Sequence, residues 1–523
     1  MATCEISVTG QWAEVRGGDY TVIDRATRFR PEGYVHNTKY KMRLWDGWIH
    51  LARNASSSSP VRIPAGLADR TGRALTDAGY EVTRRDLRKK RDELLSQMWS
   101  KPELHGGIEL RDMQFEAIDA AVNATRGIIK ASTGYGKTVT MIGLISRIDC
   151  PTIIFVHSNQ LMHQTFDAAK KMLKLKDGEI GMIGDSVYAP GSFLTIAMFQ
   201  TAAKAINGRK TAAQKKTAVE SLRAGRMSTE AYEDFLDDAT EAVNAYECMQ
   251  DELARYDCVI VDEAHHASTA KTWAKVVEHC PAFWRFGFSA TPFKEPPGTE
   301  LQLIGATGEI VYEYTVDQAI EDGISVEPYI YVVNYPQIWL NDGLSYAELY
   351  TAAIVQNGPR NDAIEDICLS ADASGLKTLV VVERIEHGEE IARRTGWPFV
   401  SGDSYWTAAR RKRVVKQLNS GKISGIISTV MGEGVDIPNL SCVVLASGGK
   451  ARHLATQRVG RGIRKGEKDY CLVFDFNDEA NRVMERQTKQ RIKAYEDNTF
   501  IVRHAKDVPD IKAIVKKLEA KSA

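Results

Sequence analysis

Short, largely apolar runs recur along the first two thirds of this 523-residue chain: Gly127-Ile128-Ile129, Thr152-Ile153-Ile154-Phe155-Val156, Phe193-Leu194-Thr195-Ile196-Ala197, Cys258-Val259-Ile260-Val261 and Phe286-Gly287-Phe288-Ser289. Most are separated by helical patterns, so residues 106–325 predict strands buried on both faces, paired in parallel and joined by crossover helices. A second set, Leu379-Val380-Val381-Val382, Gly425-Ile426-Ile427-Ser428 and Cys471-Leu472-Val473-Phe474, predicts another parallel sheet over residues 326–478. The fold class is therefore α/β.

The flanks follow different patterns. Tyr20-Thr21-Val22-Ile23 and Tyr40-Lys41-Met42-Arg43-Leu44-Trp45 alternate as half-buried strands do, and Asp46-Gly47 predicts a tight turn, hence a hairpin over residues 41–51. Residues 66–79 predict a short helix, making residues 1–105 a small α+β accessory domain. After residue 478 the pattern is a helix to about residue 496, a short strand at Thr499-Phe500-Ile501-Val502 and a last amphipathic helix over 511–518, a C-terminal extension spanning 479–523. Within the first sheet region, residues 202–256 form a long insertion. Its first arm carries seven basic residues and one acid over 204–226, its second nine acids and no base over 227–253. Tyr232, Phe235, Ala239, Ala242, Tyr246, Met249 and Leu253 step by three and four, so an antiparallel helical pair with oppositely charged arms is predicted. It reads either as a self-satisfied structural hairpin, slightly favoured, or as a probe carried by the basic arm.

Charge sharpens the picture locally. Lys plus Arg equals Asp plus Glu at 68 each, so the whole chain gives no sign of a polyanionic partner. Residues 1–105 alone carry 18 Lys and Arg against 13 Asp and Glu, a surplus of five, with Trp45 beside Arg43; that suits contact with a phosphate backbone, as does a core role for the tryptophans. The basic cluster Arg84, Arg85, Arg88, Lys89, Lys90 and Arg91 is expected to start a connecting helix. Eight scattered cysteines contain no C-x-x-C pair, which argues against zinc or redox chemistry. No apolar run approaches the roughly 20 residues a bilayer demands, and the beginning of the chain is unlike a signal peptide; the expected location is cytoplasmic.

Candidate chemistry centres on Ala131-Ser132-Thr133-Gly134-Tyr135-Gly136-Lys137-Thr138, between a buried strand and a helical pattern. A strand that turns through glycines into a helix leaves backbone N–H groups free to hold anionic oxygens. Lys137 then reaches the β- and γ-phosphates of a nucleotide, and the Thr138 hydroxyl takes Mg²⁺. About 125 residues later, Asp262-Glu263-Ala264-His265 ends another buried strand. There Asp262 can hold Mg²⁺ through its water shell, and Glu263 can polarise the water that attacks the terminal phosphate.

In this order the motifs resemble those of the superfamily two helicases, of the DEAH type. That resemblance implies two tandem RecA-like lobes that bind ATP and Mg²⁺ and act on nucleic acid. Residue by residue, it makes Gln114 the adenine reader, and Thr133, Gly134, Tyr135, Gly136, Lys137 and Thr138 the phosphate loop. Ser289 and Thr291, in Ser289-Ala290-Thr291, become the coupling segment. Gln160 and Gln200 fall where the family grips the nucleic-acid backbone. Thr429, Gly434 and Asp436 lie in the fifth motif, which touches nucleic acid and nucleotide. Gln457, Arg461 and Arg464 lie in the sixth, with the two arginines at the finger positions that neutralise the transferring phosphate.

Within the superfamily, the basic N-terminal region with Gly33-Tyr34-Val35 and Leu44-Trp45-Asp46-Gly47-Trp48-Ile49, and the Gly308-Glu309-Ile310-Val311-Tyr312 and Asp322-Gly323 segments, resemble the UvsW-like helicases of tailed phages. That implies remodelling of forks, junctions and displaced-strand loops in recombination, repair or replication, in the host cytoplasm if phage-encoded. The competing readings are a double-stranded DNA translocase that does not part strands, an RNA helicase, and an ATP-gated clamp. DNA is the expected partner, with RNA open, no membrane, and a monomer favoured.

Overall fold

The computed structural model describes residues 2–31, 33–53, 59–88, 91–132, 134–208, 245, 247–264, 276–277, 279–293, 300–403, 405–429, 440–449 and 468–522. Internal contacts divide the chain into two units, Met1–Ala131 with Gly136–Glu313, and Ser132–Tyr135 with Tyr314–Ala523.

The N-terminal part of the first unit contains β1 (Thr3–Val8), β2 (Trp12–Arg16), β3 (Arg28–Phe29), β4 (Ile49–His50), β5 (Val61–Pro64) and β6 (Glu81–Asp86). Its main sheet runs β5-β2-β1-β6, with β1 antiparallel to β2 and parallel to β6. Alternate positions Cys4 and Ile6, Ala13 and Val15, and Val61 and Ile63 are buried, so the period-two pattern that specifies a one-faced sheet is present.

Three local expectations are corrected here. Tyr20–Thr27 is a helix, because Asp19 caps it by accepting from Thr21 N at 2.8 Å and four alternating residues are too few to outweigh a cap. Residues 41–51 are no hairpin: Thr38–Lys41 is a helical turn, and β4 pairs antiparallel with β3 instead. Gly47 does turn the chain, at φ +84°, where a Cβ would lie 2.8 Å from the Tyr34 ring. Arg84 and Arg85 lie on β6, and the connecting helix starts only at Arg91.

This N-terminal sheet shares its hydrophobic core with the rest of the first unit; Ile6, Val15, Ile63 and Leu67 belong to the same buried cluster as Ile128, Val259, Leu303 and Ile304. Gly66 lies so close to the helix Glu300–Thr307 that any side chain would overlap the Ile304 carbonyl oxygen. Arg88 fastens the end of β6: Nη1 donates to Thr125 Oγ1 at 2.7 Å, and the guanidinium stacks on Phe283 at 4.1 Å.

The larger sheet of the first unit comprises β7 (Arg126–Ala131), β8 (Thr152–Val156), β9 (Ile180–Gly184), β10 (Val187–Ala189), β11 (Leu194–Met198), β12 (Cys258–Asp262), β13 (Trp284–Ser289) and β14 (Ile310–Tyr314), in the order β10-β9-β11-β8-β12-β13-β7-β14. The strands from β9 through β7 are parallel, as their largely apolar runs predict. Of the insertion, its two ends reach this core: Ala202, Ala203 and Ile206 on the helix Phe199–Gly208, and Met249 and Leu253 on the returning side. Residues 209–244 and Tyr246, with the turn and most of the apolar stripe, lie outside the described residues.

The second unit is built on β15 (Glu327–Val333), β16 (Thr378–Val381), β17 (Phe399–Val400), β18 (Gly425–Ser428), β19 (Cys442–Val444), β20 (Tyr470–Phe476) and β21 (Ile501–Ala505), ordered β17-β18-β16-β19-β20-β15-β21 and parallel at every pairing. Separate buried clusters cover its two faces. Next to β20 the interior holds charge. Arg360 and Arg491 meet Asp478 at 2.8 and 3.1 Å, and Arg491 also meets Asp475 at 2.9 Å. Arg360 donates to the Ala446 carbonyl at 2.7 Å and Arg491 to that of Gly449 at 3.1 Å, so the network holds the segment that follows β19. The final helices form as expected, over Arg482–Glu496 and Ile511–Ser522, with β21 between them. Among the described residues no helix is long and apolar enough to cross a membrane.

Candidate functional site

Four adjacent strands, β8-β12-β13-β7, run in parallel and bring their carboxyl ends to one edge. Asp262 is in register with Phe288, and Ser289 with Lys130, so the ends of β12, β13 and β7 are level. A crevice outside the carboxyl ends of parallel strands is where α/β sheets bind ligands.

β7 leads into the phosphate loop. Gly134 and Gly136 have φ of +90° and +94°, and a Cβ on Gly136 would stand 2.6 Å from Gln114 Nε2. Both backbone freedom and space therefore demand glycine at position 136. The helix Lys137–Ile148 starts directly from Gly136, with no side chain capping it, so its first-turn N–H groups are available to an anion. Ser132 Oγ is buried and has no hydrogen-bond partner among the described residues. The loop thus fits the phosphates of a nucleotide: an uncapped helix start, a left-handed turn and an unsatisfied hydroxyl. Tyr135 is fully buried, its ring 5.0 Å from that of Tyr314, so the loop offers only its backbone there. Thr133 lies outside the described residues.

Gln114, on the helix Asp112–Ala124, is buried beneath this turn. Its Oε1 accepts from Arg111 N at 3.0 Å, and its Nε2 donates to the Gly136 carbonyl at 3.4 Å. One amide therefore closes the start of its own helix and braces the last residue of the loop.

Asp262 is the last residue of β12 and is 7% exposed. Its Oδ1 accepts from Glu263 N at 2.9 Å. Glu263 takes a left-handed backbone, φ +48°, which swings its carboxylate out of strand direction; Lys137 Nζ lies 3.8 Å from its Oε1. Burial raises the Asp262 pKa and the Glu263 charge raises it further, while Lys137 opposes both. A second cation at this point would relieve the strain between the carboxylates. Among the described residues no group of three His, Cys, Asp or Glu could hold a metal alone. Thr138, in the first helical turn, and Asp262 would supply the protein's share of a Mg²⁺ site, and Mg²⁺ commonly takes one or two protein ligands with phosphate and water for the rest.

Ser289 ends β13, and its Oγ accepts from Thr291 N at 3.2 Å, closing a turn beside the carboxylates. Gln160 stands in the first turn of the helix Asn159–Met172, and Gln200 Nε2 donates to the His157 carbonyl at 3.1 Å, linking the segments after β8 and β11. His157, which follows β8, also acts on Asp262, lowering its pKa. In the second unit, Thr429 follows β18 and its N–H donates to Val400 O at 3.2 Å. Arg43 is exposed and Trp45 half-buried, well apart in sequence from this edge. Gly434, Asp436, Gln457, Arg461 and Arg464 lie outside the described residues.

Comparison with known proteins follows the same division. Residues 107–294 match the family model described as type III restriction enzyme, res subunit, and residues 360–466 match the helicase conserved C-terminal domain. The chain is 26% identical over 417 residues to a putative DNA 3'-5' helicase Rad25 of Halobacterium salinarum, covering 77% of this chain and 58% of that protein. It is 22% identical over 510 residues to the ATP-dependent DNA helicase uvsW of Enterobacteria phage T4, covering 92% of this chain and 90% of that one. The chain spans between half and two thirds of the first curated relatives it matches. Its fold is similar to a fragment of a putative HsdR subunit of a type I restriction enzyme from Vibrio vulnificus, with a TM-score of 0.51, 18% identity, and coverage of 90% of this chain and 82% of that one.

Proposed function

Because this chain belongs to superfamily two of the helicases, we propose that it is an ATP-driven DNA motor that parts or remodels strands at branched DNA. The observation that carries the reading is the approach of Lys137 to Glu263 at 3.8 Å, which joins the phosphate loop to the paired carboxylates. Lys137 and the uncapped N–H groups bind and orient the terminal phosphates. Glu263 holds the attacking water and takes its proton. Thr138 and Asp262 would hold Mg²⁺, which would supply positive charge to the phosphate oxygens when bound. Arg461 and Arg464 are assigned the stabilisation of charge on the transferring phosphate, with Gln457 of the same motif assisting, and Gly434 and Asp436 are assigned nucleotide contacts. Ser289 and Thr291 are assigned the coupling of hydrolysis to movement, and Gln160, Gln200 and Thr429 the grip on the nucleic-acid backbone.

DNA as the partner is supported by the names of the helicase relatives, and branched DNA is what the resemblance of the N-terminal region to the UvsW-like helicases implies. A second reading, movement along duplex DNA without strand separation, is supported by the restriction-subunit description of the first family match. One panel tests both. ATP hydrolysis and strand separation are measured on forks, four-way junctions, plain duplex DNA and RNA duplex, with triplex displacement alongside. The branched-DNA reading expects the highest hydrolysis and strand release on forks and junctions. Preference for RNA duplex would remove it, and triplex displacement without strand release would replace it with the translocase.

A further inference from the structure

Between β3 and β4, Met42 and Leu44 are 65% and 74% exposed, on either side of an exposed arginine. Arg43 has φ +59°, in the left-handed region that non-glycine residues seldom occupy. The hydrogen bonds explain why: Arg43 N donates to Tyr40 O at 2.9 Å and Leu44 N to Lys39 O at 2.8 Å. That is the Schellman ending of a helical turn, with Arg43 at the position glycine usually holds. The residue after it normally folds back to bury an apolar side chain, but Leu44 stands out in solvent.

The base beneath these side chains is braced. Trp45 Nε1 donates to Trp48 O at 2.7 Å, Trp48 N to Asp46 Oδ1 at 3.0 Å, and His50 is held between Asp24 at 2.6 Å and Asp46 at 3.1 Å. Arg28 and Arg30 stack on Trp48 at 4.4 and 4.5 Å, and Tyr34 meets Tyr40 edge-on at 4.9 Å. Charge around the tip is one-sided: residues 24–53 contain seven Lys and Arg against three Asp and Glu. A rigid apolar point ringed by cations matches the end of a nucleic-acid duplex, where the flat face of a base pair is flanked by two phosphate backbones. Methionine and leucine are among the side chains proteins use to pry base steps apart.

We propose that Met42 and Leu44 form a strand-parting tip, lying against the base pair at a DNA branch while Lys39, Lys41 and Arg43 hold the flanking phosphates. The proposal rests on the DNA-motor reading above. The test is the full-length double variant Met42→Ser, Leu44→Ser, whose changed side chains leave no buried packing behind. A fork carrying 2-aminopurine at the branch base pair reports unstacking on binding, without ATP; single-strand-stimulated hydrolysis and fork unwinding are measured in parallel.

The double variant keeps its hydrolysis within about two-fold of the parent, loses the binding-induced fluorescence rise, and unwinds forks at least about ten-fold more slowly. Met42→Phe, Leu44→Phe restores both. Retained fluorescence and unwinding in the serine variant would overturn the tip. So would sedimentation showing that the parent self-associates and the serine variant does not, since the surface would then join protein to protein. A parent that hydrolyses no ATP with any DNA would remove the motor, yet the ATP-free fluorescence would still decide the tip.

Discussion

Arg360 and Asp478, 118 residues apart, meet at 2.8 Å inside the second unit with side chains 0% and 1% exposed. Removing one member of such a pair leaves the other charge buried and uncompensated, which costs about 3–5 kcal/mol. Asp478→Ala is therefore expected to lower stability by about that amount, read by urea denaturation. The double change Arg360→Met, Asp478→Leu should lose less than Asp478→Ala alone. Equal losses would mean that the contacts of Asp478 with Arg491 and Tyr335, rather than the uncompensated Arg360 charge, set the cost.

His387 gives the same region a pH dependence. It is fully buried, its Nε2 lies 3.0 Å from Asn361 Oδ1, and its pKa is pushed down to about 3, chiefly by burial and then by the Arg360 charge. A histidine whose folded pKa lies below its unfolded value near 6.5 stabilises the fold above that value, and the contribution fades as pH falls toward 3. Between pH 7 and 5 the loss is about 2 kcal/mol. Urea denaturation across that range should show a slope that His387→Gln flattens.

Glu263→Gln keeps the shape of the side chain and removes the proton acceptor. Phosphate release is expected to fall by about 10²–10⁴-fold, while binding of a non-hydrolysable ATP analogue stays near the parent value. Unchanged turnover would show that another group accepts the proton.

Gln114→Ala removes two hydrogen bonds at once, to Arg111 N and to the Gly136 carbonyl. Stability should fall by about 1–2 kcal/mol, and KM for ATP should rise more than kcat falls, because the loop loses its brace rather than its chemistry. Gly136→Ala should be more severe, from both its φ of +94° and the overlap with Gln114 Nε2. Combining the two changes relieves only the overlap, so partial recovery in the double variant would separate crowding from backbone strain.

The two parallel sheets were legible because a strand buried on both faces is apolar along most of its length, as Ile153–Val156 and Cys258–Val261 are. The phosphate loop and the Asp262-Glu263 pair were legible because their chemistry needs fixed residue types at strand ends. Tyr20–Thr27 was misread because its helix is decided by one aspartate outside the alternating stretch. Arg88 was expected in a connecting helix, and only the folded chain places it between Thr125 and Phe283. The Arg360–Asp478 pair left no local trace at all, since its partners are joined by tertiary packing. The opposing use of Gln114, holding its own helix and the loop together, likewise needed coordinates.

The interior shared by the N-terminal sheet and the strands bearing the phosphate loop has a mechanical corollary. The tip rises between β3 and β4, and Phe29 of β3 belongs to the same interior, so displacement of the nucleotide-bearing strands would reach Met42 and Leu44 as through the handle of a chisel. A chain trimmed to begin at residue 106 would be no smaller engine. It would be a flayed one, with Leu303 and Ile304 laid open to water.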